Sequence, residues 1–214
     1  MEYIISSILG YLLGSIPTAY ILIRKFRNLD ITKNGSNNVG ALNSYEVSKS
    51  KIIGLMVLLL DAVKGIVSVM LPAIIFEPDF SLQMLSLLFA VFAHCYNPWL
   101  KLRGGRGLAT AAGGILFISP VIFVLWCIFW IISFLYKKHI HFSSFVASIL
   151  TGILAYTSAD IINNSNWYTS PVAETNFAFA SFNIVMLLII ISRHTGFLKD
   201  YFSKGLKKQG KKHE

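Results

Sequence analysis

The stretch Leu108-Ala-Thr-Ala-Ala-Gly-Gly-Ile-Leu-Phe-Ile-Ser119-Pro120-Val-Ile-Phe-Val-Leu-Trp-Cys-Ile-Phe-Trp-Ile-Ile-Ser-Phe-Leu-Tyr136 decides how this chain is built. Read as one apolar run, it is a single long membrane crossing. Read as broken at Ser119-Pro120, it is two: a short one over Leu108–Ile118 and another over Val121–Tyr136. Proline lacks an amide donor and disfavours helix in the residue before it, so the break has a physical cause. Leu108–Ile118 is well below the ~20 residues of a straight crossing. Backbone exposed at such a break must be shielded by protein or line a polar cavity.

Composition fixes the class within which that choice is made. Hydrophobic residues make up 55% of the 214 and charged residues 14%, and the mean hydropathy is +0.63. A soluble domain carries about 25% charged residues, so the chain is read as an all-α integral membrane protein. Its net charge of +9 does not form one basic face. The cations flank apolar runs, which suits an anionic inner leaflet; membrane lipids are the expected partners and nucleic acid is not. Cys95 and Cys127 lie inside apolar runs and read as inert thiols. The five histidines show no metal-ligand spacing, so neither metal nor cofactor is expected. The first apolar run lacks a basic leader and a small-residue cleavage pattern, so no cleavable signal is expected.

The remaining candidate spans are Tyr3–Ile23, Ile52–Phe76, Leu82–Leu100, Phe142–Tyr156 and Phe177–Ser192. Charge arbitrates between six crossings and seven. With seven and an outside N-terminus, the loops on the cytoplasmic side hold Arg24, Lys25, Arg27, Lys33, Lys101, Arg103, Arg106, Lys137, Lys138 and Arg193. The opposite loops hold Glu2, Glu77, Asp79, Asp160 and Glu174, with no lysine or arginine. Six crossings would strand Lys137 and Lys138 outside. The positive-inside bias therefore selects a seven-helix transmembrane bundle with some short or broken helices, N-terminus outside and C-terminus cytoplasmic. Residues 1–198 read as a single polytopic membrane domain, and residues 199–214 as a basic cytoplasmic tail lying on anionic headgroups.

Three features on the cytoplasmic side carry chemistry. Lys101-Leu-Arg103-Gly104-Gly105-Arg106-Gly107-Leu-Ala-Thr110 sets glycines among cations just before a helix start. Such a loop either cradles phosphate with backbone amides and guanidinium forks, or is a basic turn that merely obeys topology. Asp30-Ile-Thr-Lys-Asn-Gly-Ser36-Asn-Asn38-Val-Gly-Ala-Leu-Asn43 is rich in amide and hydroxyl donors, and is either a binding loop or a solvated linker. Gly14-Ser15-Ile-Pro17 before it allows close packing and a kink. Asp61 and Lys64 share one helix face inside a span, as a ligand contact or as a structural pair. His94 is either a base or a packing histidine.

These residues together resemble the bacterial acyl-phosphate:glycerol-3-phosphate acyltransferase family. Gly14-Ser-Ile-Pro17, Asp30-Ile31 and Gly35-Ser36-x-Asn38-x-Gly40-Ala41-x-Asn43 are similar to its first motif. Asp61-x-x-Lys64-Gly65 is similar to its second-span signature, His94 with Gly104-Gly105-x-Gly107-x-Ala109-Thr110 to its glycine-rich motif, and Arg193-His194 to the start of its third. The resemblance implies a bacterial inner-membrane, multi-pass enzyme. It would move a fatty acyl group from acyl phosphate to a phosphorylated polyol, glycerol 3-phosphate, giving lysophosphatidic acid. It also implies catalytic roles for Ser36, Asn38, His94 and Arg106, and substrate binding by Asn43, Lys64, Arg103, Gly104, Gly105, Gly107, Thr110, Arg193 and His194. The donor's own phosphate, or less favourably His94, would take the hydroxyl proton. No cofactor is implied, and a monomer suffices.

The chain departs from the family pattern on the acceptor side. Thr32 and Glu46 stand where the family has arginine, Asn37 where it has glycine, and Leu42 where it has threonine. Phe197 replaces an asparagine and Asp200 an arginine, while Arg106 replaces a lysine. The alternative to an enzyme is a non-catalytic or repurposed relative that binds, senses or transports a phosphorylated lipid.

Overall fold

The computed structural model describes residues 1–165 and 167–194, so the basic tail and the motif positions Phe197 and Asp200 lie outside the described residues. Ten helices occur among the described residues, in the order α1 (Glu2–Ser15), α2 (Thr18–Arg27), α3 (Ala41–Ser48), α4 (Lys51–Phe76), α5 (Phe80–Cys95), α6 (Leu108–Ile118), α7 (Pro120–Lys137), α8 (Ile140–Thr157), α9 (Ala159–Asn163) and α10 (Asn176–Ser192). Five apolar segments are long enough to cross a membrane: Glu2–Arg27, Lys51–Phe76, Phe80–Leu100, Pro120–Lys137 and Ile140–Thr157. Leu108–Ile118 and Asn176–Ser192 are shorter.

The deciding break is present. α6 ends at Ile118, Ser119 takes a non-helical conformation, and α7 begins at Pro120, where a missing amide costs nothing. Pro17, non-helical, stands just before α2 and separates it from α1. Two short helices, α3 and α9, were not foreseen. α3 is held between Gly40 and a left-handed Lys49, inside a stretch whose polarity reads as loop.

α5 forms the centre. Of its apolar window 78% is buried, against 11% for α7, which therefore faces lipid along most of its length. α1 packs directly on α5: a Cβ at Gly10 or Gly14 would overlap the Ser86 and Ala90 backbones, so only glycine permits this approach. α4 meets α6 in the same way, at Gly65 and Gly113. α7 pairs with α8, and α10 lies against α8 and α5.

Hydrogen bonds sort the connections to two ends of the bundle. At one end Ser170 N–H donates to the Ile118 carbonyl (2.8 Å) and the Ser119 hydroxyl to the Tyr168 carbonyl (2.7 Å). At the other end the Val39 N–H donates to the Gly104 carbonyl (3.4 Å), and Arg193 reaches the Gly104 and Gly105 carbonyls. α6, though short, connects the two.

Candidate active site

The glycine loop is built onto the end of α5. Asn97 caps the 3₁₀ turn Pro98–Leu100 and donates to the Ser15 carbonyl (2.7 Å), fixing where the chain leaves α5. Gly105 N–H donates to the His94 carbonyl (3.0 Å). A Cβ on Gly105 would collide with the His94 ring and come within 2.8 Å of the Val39 carbonyl. Gly107 sits at φ +78°, a left-handed conformation that glycine adopts without penalty, and turns the chain into α6.

This corrects one expectation. The amide of Gly105 is spent inside the loop and does not face a ligand. The donors that remain are at the start of α6, where no side chain caps the helix and its positive dipole end collects.

The cations gather around that helix start. Arg106 is partly buried, and its Nη1 donates to His141 Nδ1 (3.0 Å). Arg193 donates through Nε to the Gly105 carbonyl and through Nη2 to the Gly104 carbonyl, both at 3.2 Å, and lies over the Tyr96 ring at 5.2 Å. Among the described residues no carboxylate lies within ion-pairing distance of either arginine. Burial, and after it Arg193, push the Arg106 pKa down, while Glu46 pulls it up. Glu46 closes no ion pair with Arg106 or Arg193 among the described residues. His194 is buried; its Nδ1 lies 2.9 Å from the Ile190 carbonyl, and Nε2 has no partner among the described residues. Arg103 is exposed.

Asn43 works from within the acceptor-side loop. Its amide donates to the Asn34 carbonyl (3.1 Å) and the Asn38 carbonyl (2.9 Å), and its oxygen accepts from Ser36 N–H (2.9 Å). The side chain is thus consumed in shaping the loop that presents Ser36 and Asn38, and the bond from Val39 to Gly104 sets that loop beside the glycine loop. Thr32 also has a structural use here: its hydroxyl and N–H both bond Asp30, and the hydroxyl bond is the main reason that the Asp30 carboxyl sits below its usual pKa range.

Lys64 occupies a buried network. Its Nζ lies 2.9 Å from Asp61 Oδ1, donates to the Ile16 carbonyl (2.9 Å) and lies 3.5 Å from His94 Nδ1. Thr18 also donates to Asp61. The network meets the glycine loop through His94, whose far edge lies against Gly105. Lys64 and His94 thus lie in one buried network beside the glycine loop. Thr110 is buried, and its side-chain oxygen has no partner among the described residues.

His141 was missed by sequence reasoning. It lies 35 positions from Arg106, and nothing in its own surroundings marks it. The histidines that look scattered in sequence converge: the His139 and His141 rings lie 5.7 Å apart, and the His141 and His194 rings 6.3 Å.

The profile of the family described as glycerol-3-phosphate acyltransferase matches residues 4–204. The chain belongs to the glycerol-3-phosphate acyltransferase family. A glycerol-3-phosphate acyltransferase of Ehrlichia canis is 41% identical over 150 residues, covering 70% of this chain and 77% of that protein. Glycerol-3-phosphate acyltransferase 2 of Moorella thermoacetica is 35% identical over 152 residues, covering 71% of this chain and 77% of that protein. The crystal structure of PlsY, an integral membrane glycerol 3-phosphate acyltransferase in its glycerol 3-phosphate form, superposes with a TM-score of 0.77 at 26% identity, over 95% of this chain and 94% of that one. With family and fold in agreement, the protein is a multi-pass membrane acyltransferase, and the non-catalytic alternative is not favoured.

Proposed function

We propose that the protein transfers a fatty acyl group from acyl phosphate to the 1-hydroxyl of glycerol 3-phosphate, giving lysophosphatidic acid. The observation that carries this reading is the pair Arg106 and Arg193, lacking a carboxylate partner among the described residues, at the uncapped start of α6. Two half-buried guanidiniums beside a helix N-terminus suit a phosphate-bearing donor. The acceptor hydroxyl attacks the acyl carbonyl carbon, the bond from that carbon to the phosphate oxygen breaks, and inorganic phosphate leaves. The donor's phosphate takes the hydroxyl proton in the step, so no serine–histidine relay is required. Arg106 and the first amides of α6 neutralise the charge building on the departing phosphate. Ser36 and Asn38 face the acceptor, and Arg103 holds its phosphate together with His194, which takes up a proton at Nε2 when the dianion binds. The glycines, Thr110, Asn43, Lys64 and His94 keep these groups in place.

The frame for this chemistry is a single membrane domain over residues 1–198 that crosses a bacterial inner membrane seven times, with the site on the cytoplasmic side. Residues 199–214 form a cytoplasmic tail, and a monomer suffices. The acyl chain lies between helices, so a donor dissolved in lipid meets an acceptor dissolved in water.

The test is purified protein in lipid with long-chain acyl phosphate and labelled glycerol 3-phosphate. Labelled lysophosphatidic acid with equimolar phosphate release is the expected result. Product formed from an acyl thioester but not from acyl phosphate would overturn the donor assignment; phosphate release only with another acceptor would overturn the acceptor.

A further inference from the structure

His141 stands in the first turn of α8, just after the turn that carries Lys137 and Lys138. That helix start is fixed locally. The His139 side chain accepts from Phe142 N–H (3.4 Å), and the Ser143 hydroxyl donates to the His139 carbonyl (2.9 Å). From there the His141 ring reaches the loop before α6, where its Nδ1 lies 3.0 Å from Arg106 Nη1. A guanidinium has donors only, so Nδ1 must supply the lone pair. The ring is therefore neutral, with its hydrogen on Nε2. An imidazolium has no acceptor to offer. It would also set a further positive charge beside Arg106, among Arg193 and the His139 and His194 rings.

We propose that His141 is a positioning residue: by accepting from Nη1 it holds the Arg106 guanidinium where the departing phosphate forms. The inference rests on the acyltransfer reading above, which gives Arg106 its task. Arginine has a long side chain with much rotamer freedom, and Arg106 sits between glycines in a loop. Left to itself, such a guanidinium spends little time in any one place. The imidazole of His141 turns about two torsions only and is carried by a capped helix, which makes it the stiffer partner. Fixing one corner of the fork on that ring leaves the other N–H groups of Arg106 for an anion. The positive charge is then in place before the bond to phosphate breaks, so no reorganisation is needed during the step. His141 itself touches neither substrate in this account; it acts through Arg106.

The experiment measures kcat and KM with acyl phosphate and glycerol 3-phosphate for wild type, His141→Leu, His141→Asn, Arg106→Ala and the double variant Arg106→Ala with His141→Leu. Asparagine carries an acceptor oxygen at the side-chain position of Nδ1, and leucine has none. His141→Leu should lower kcat roughly tenfold and leave KM for glycerol 3-phosphate within about twofold, and His141→Asn should recover most of the loss. With Arg106→Ala already present, His141→Leu should change kcat by less than about twofold. An equal loss in both backgrounds, or an asparagine variant as slow as the leucine one, would overturn the positioning role. NMR of wild type with nitrogen-labelled histidine gives a readout that does not depend on turnover. The His141 signals, identified by their loss in His141→Asn or His141→Leu, should show a hydrogen on Nε2 and none on Nδ1. The reverse tautomer, or a doubly protonated ring at neutral pH, would overturn the inference while leaving acyl transfer intact. Absence of turnover in wild type would overturn the acyltransfer reading, and the positioning role with it.

Discussion

Arg106 gathers most of the site's chemistry into one side chain. Held by His141 and lacking a carboxylate within ion-pairing distance among the described residues, it is desolvated and ready for an anion. Arg106→Ala should lower kcat/KM by about 10²–10³-fold, the scale of losing one preorganised oxyanion contact, while Arg106→Lys keeps most of it. Steady-state assays with acyl phosphate read this directly. His194 carries a pH prediction. Burial is the main cause that pushes its pKa below the ordinary histidine value. The folded state then favours the neutral ring, and its contribution to stability is present above about pH 6.5 and lost as pH falls toward the folded value. Thermal unfolding in detergent should show wild type losing stability below about pH 6.5 faster than His194→Gln. Equal pH dependence would remove His194 as the group responsible. Glu46 faces Arg106 as an opposing charge, so Glu46→Gln should tighten binding of the anionic substrates, seen as a lower KM with little change in kcat.

Among the elements, α4 shows most clearly what spacing gives and what packing adds. Asp61 and Lys64 share a face by their spacing of three, and that much is visible in the chain. Only the fold brings Thr18, the Ile16 carbonyl and His94 to the same point. Asp61→Asn should therefore destabilise by about 3–5 kcal/mol, because it leaves Lys64 charged and buried with no carboxylate. Asp61→Leu with Lys64→Met should cost less than either single change, as measured by unfolding of the four proteins of the cycle. A fully additive double variant would mean that the pair is not coupled. The glycine loop shows the same division. Its glycines stand out in sequence as a cradle, yet Gly105 is required because the His94 ring occupies the space where a side chain would go. Such a requirement lies between elements and leaves no mark on local sequence.

For the whole molecule, the prediction is the sidedness of the loops. In a background with Cys95→Ala and Cys127→Ala, Arg103→Cys should react with a membrane-impermeant thiol reagent only from the cytoplasmic side, and Asn164→Cys only from the outside. Labelling of both from one side would refute seven crossings. The charge bias and the Ser119-Pro120 break were legible in the chain because each acts locally: proline forbids a helical hydrogen bond wherever it stands, and lysine marks a loop without help from its neighbours. Membrane class, the division of α6 from α7 and the positions of the long helices were determined by the sequence on those grounds. The pairing of Arg106 with His141, the convergence of three histidines and the burial of Lys64 were decided by tertiary structure alone. Each joins residues on different helices, and hydropathy records how much of a helix is buried but not which neighbour buries it.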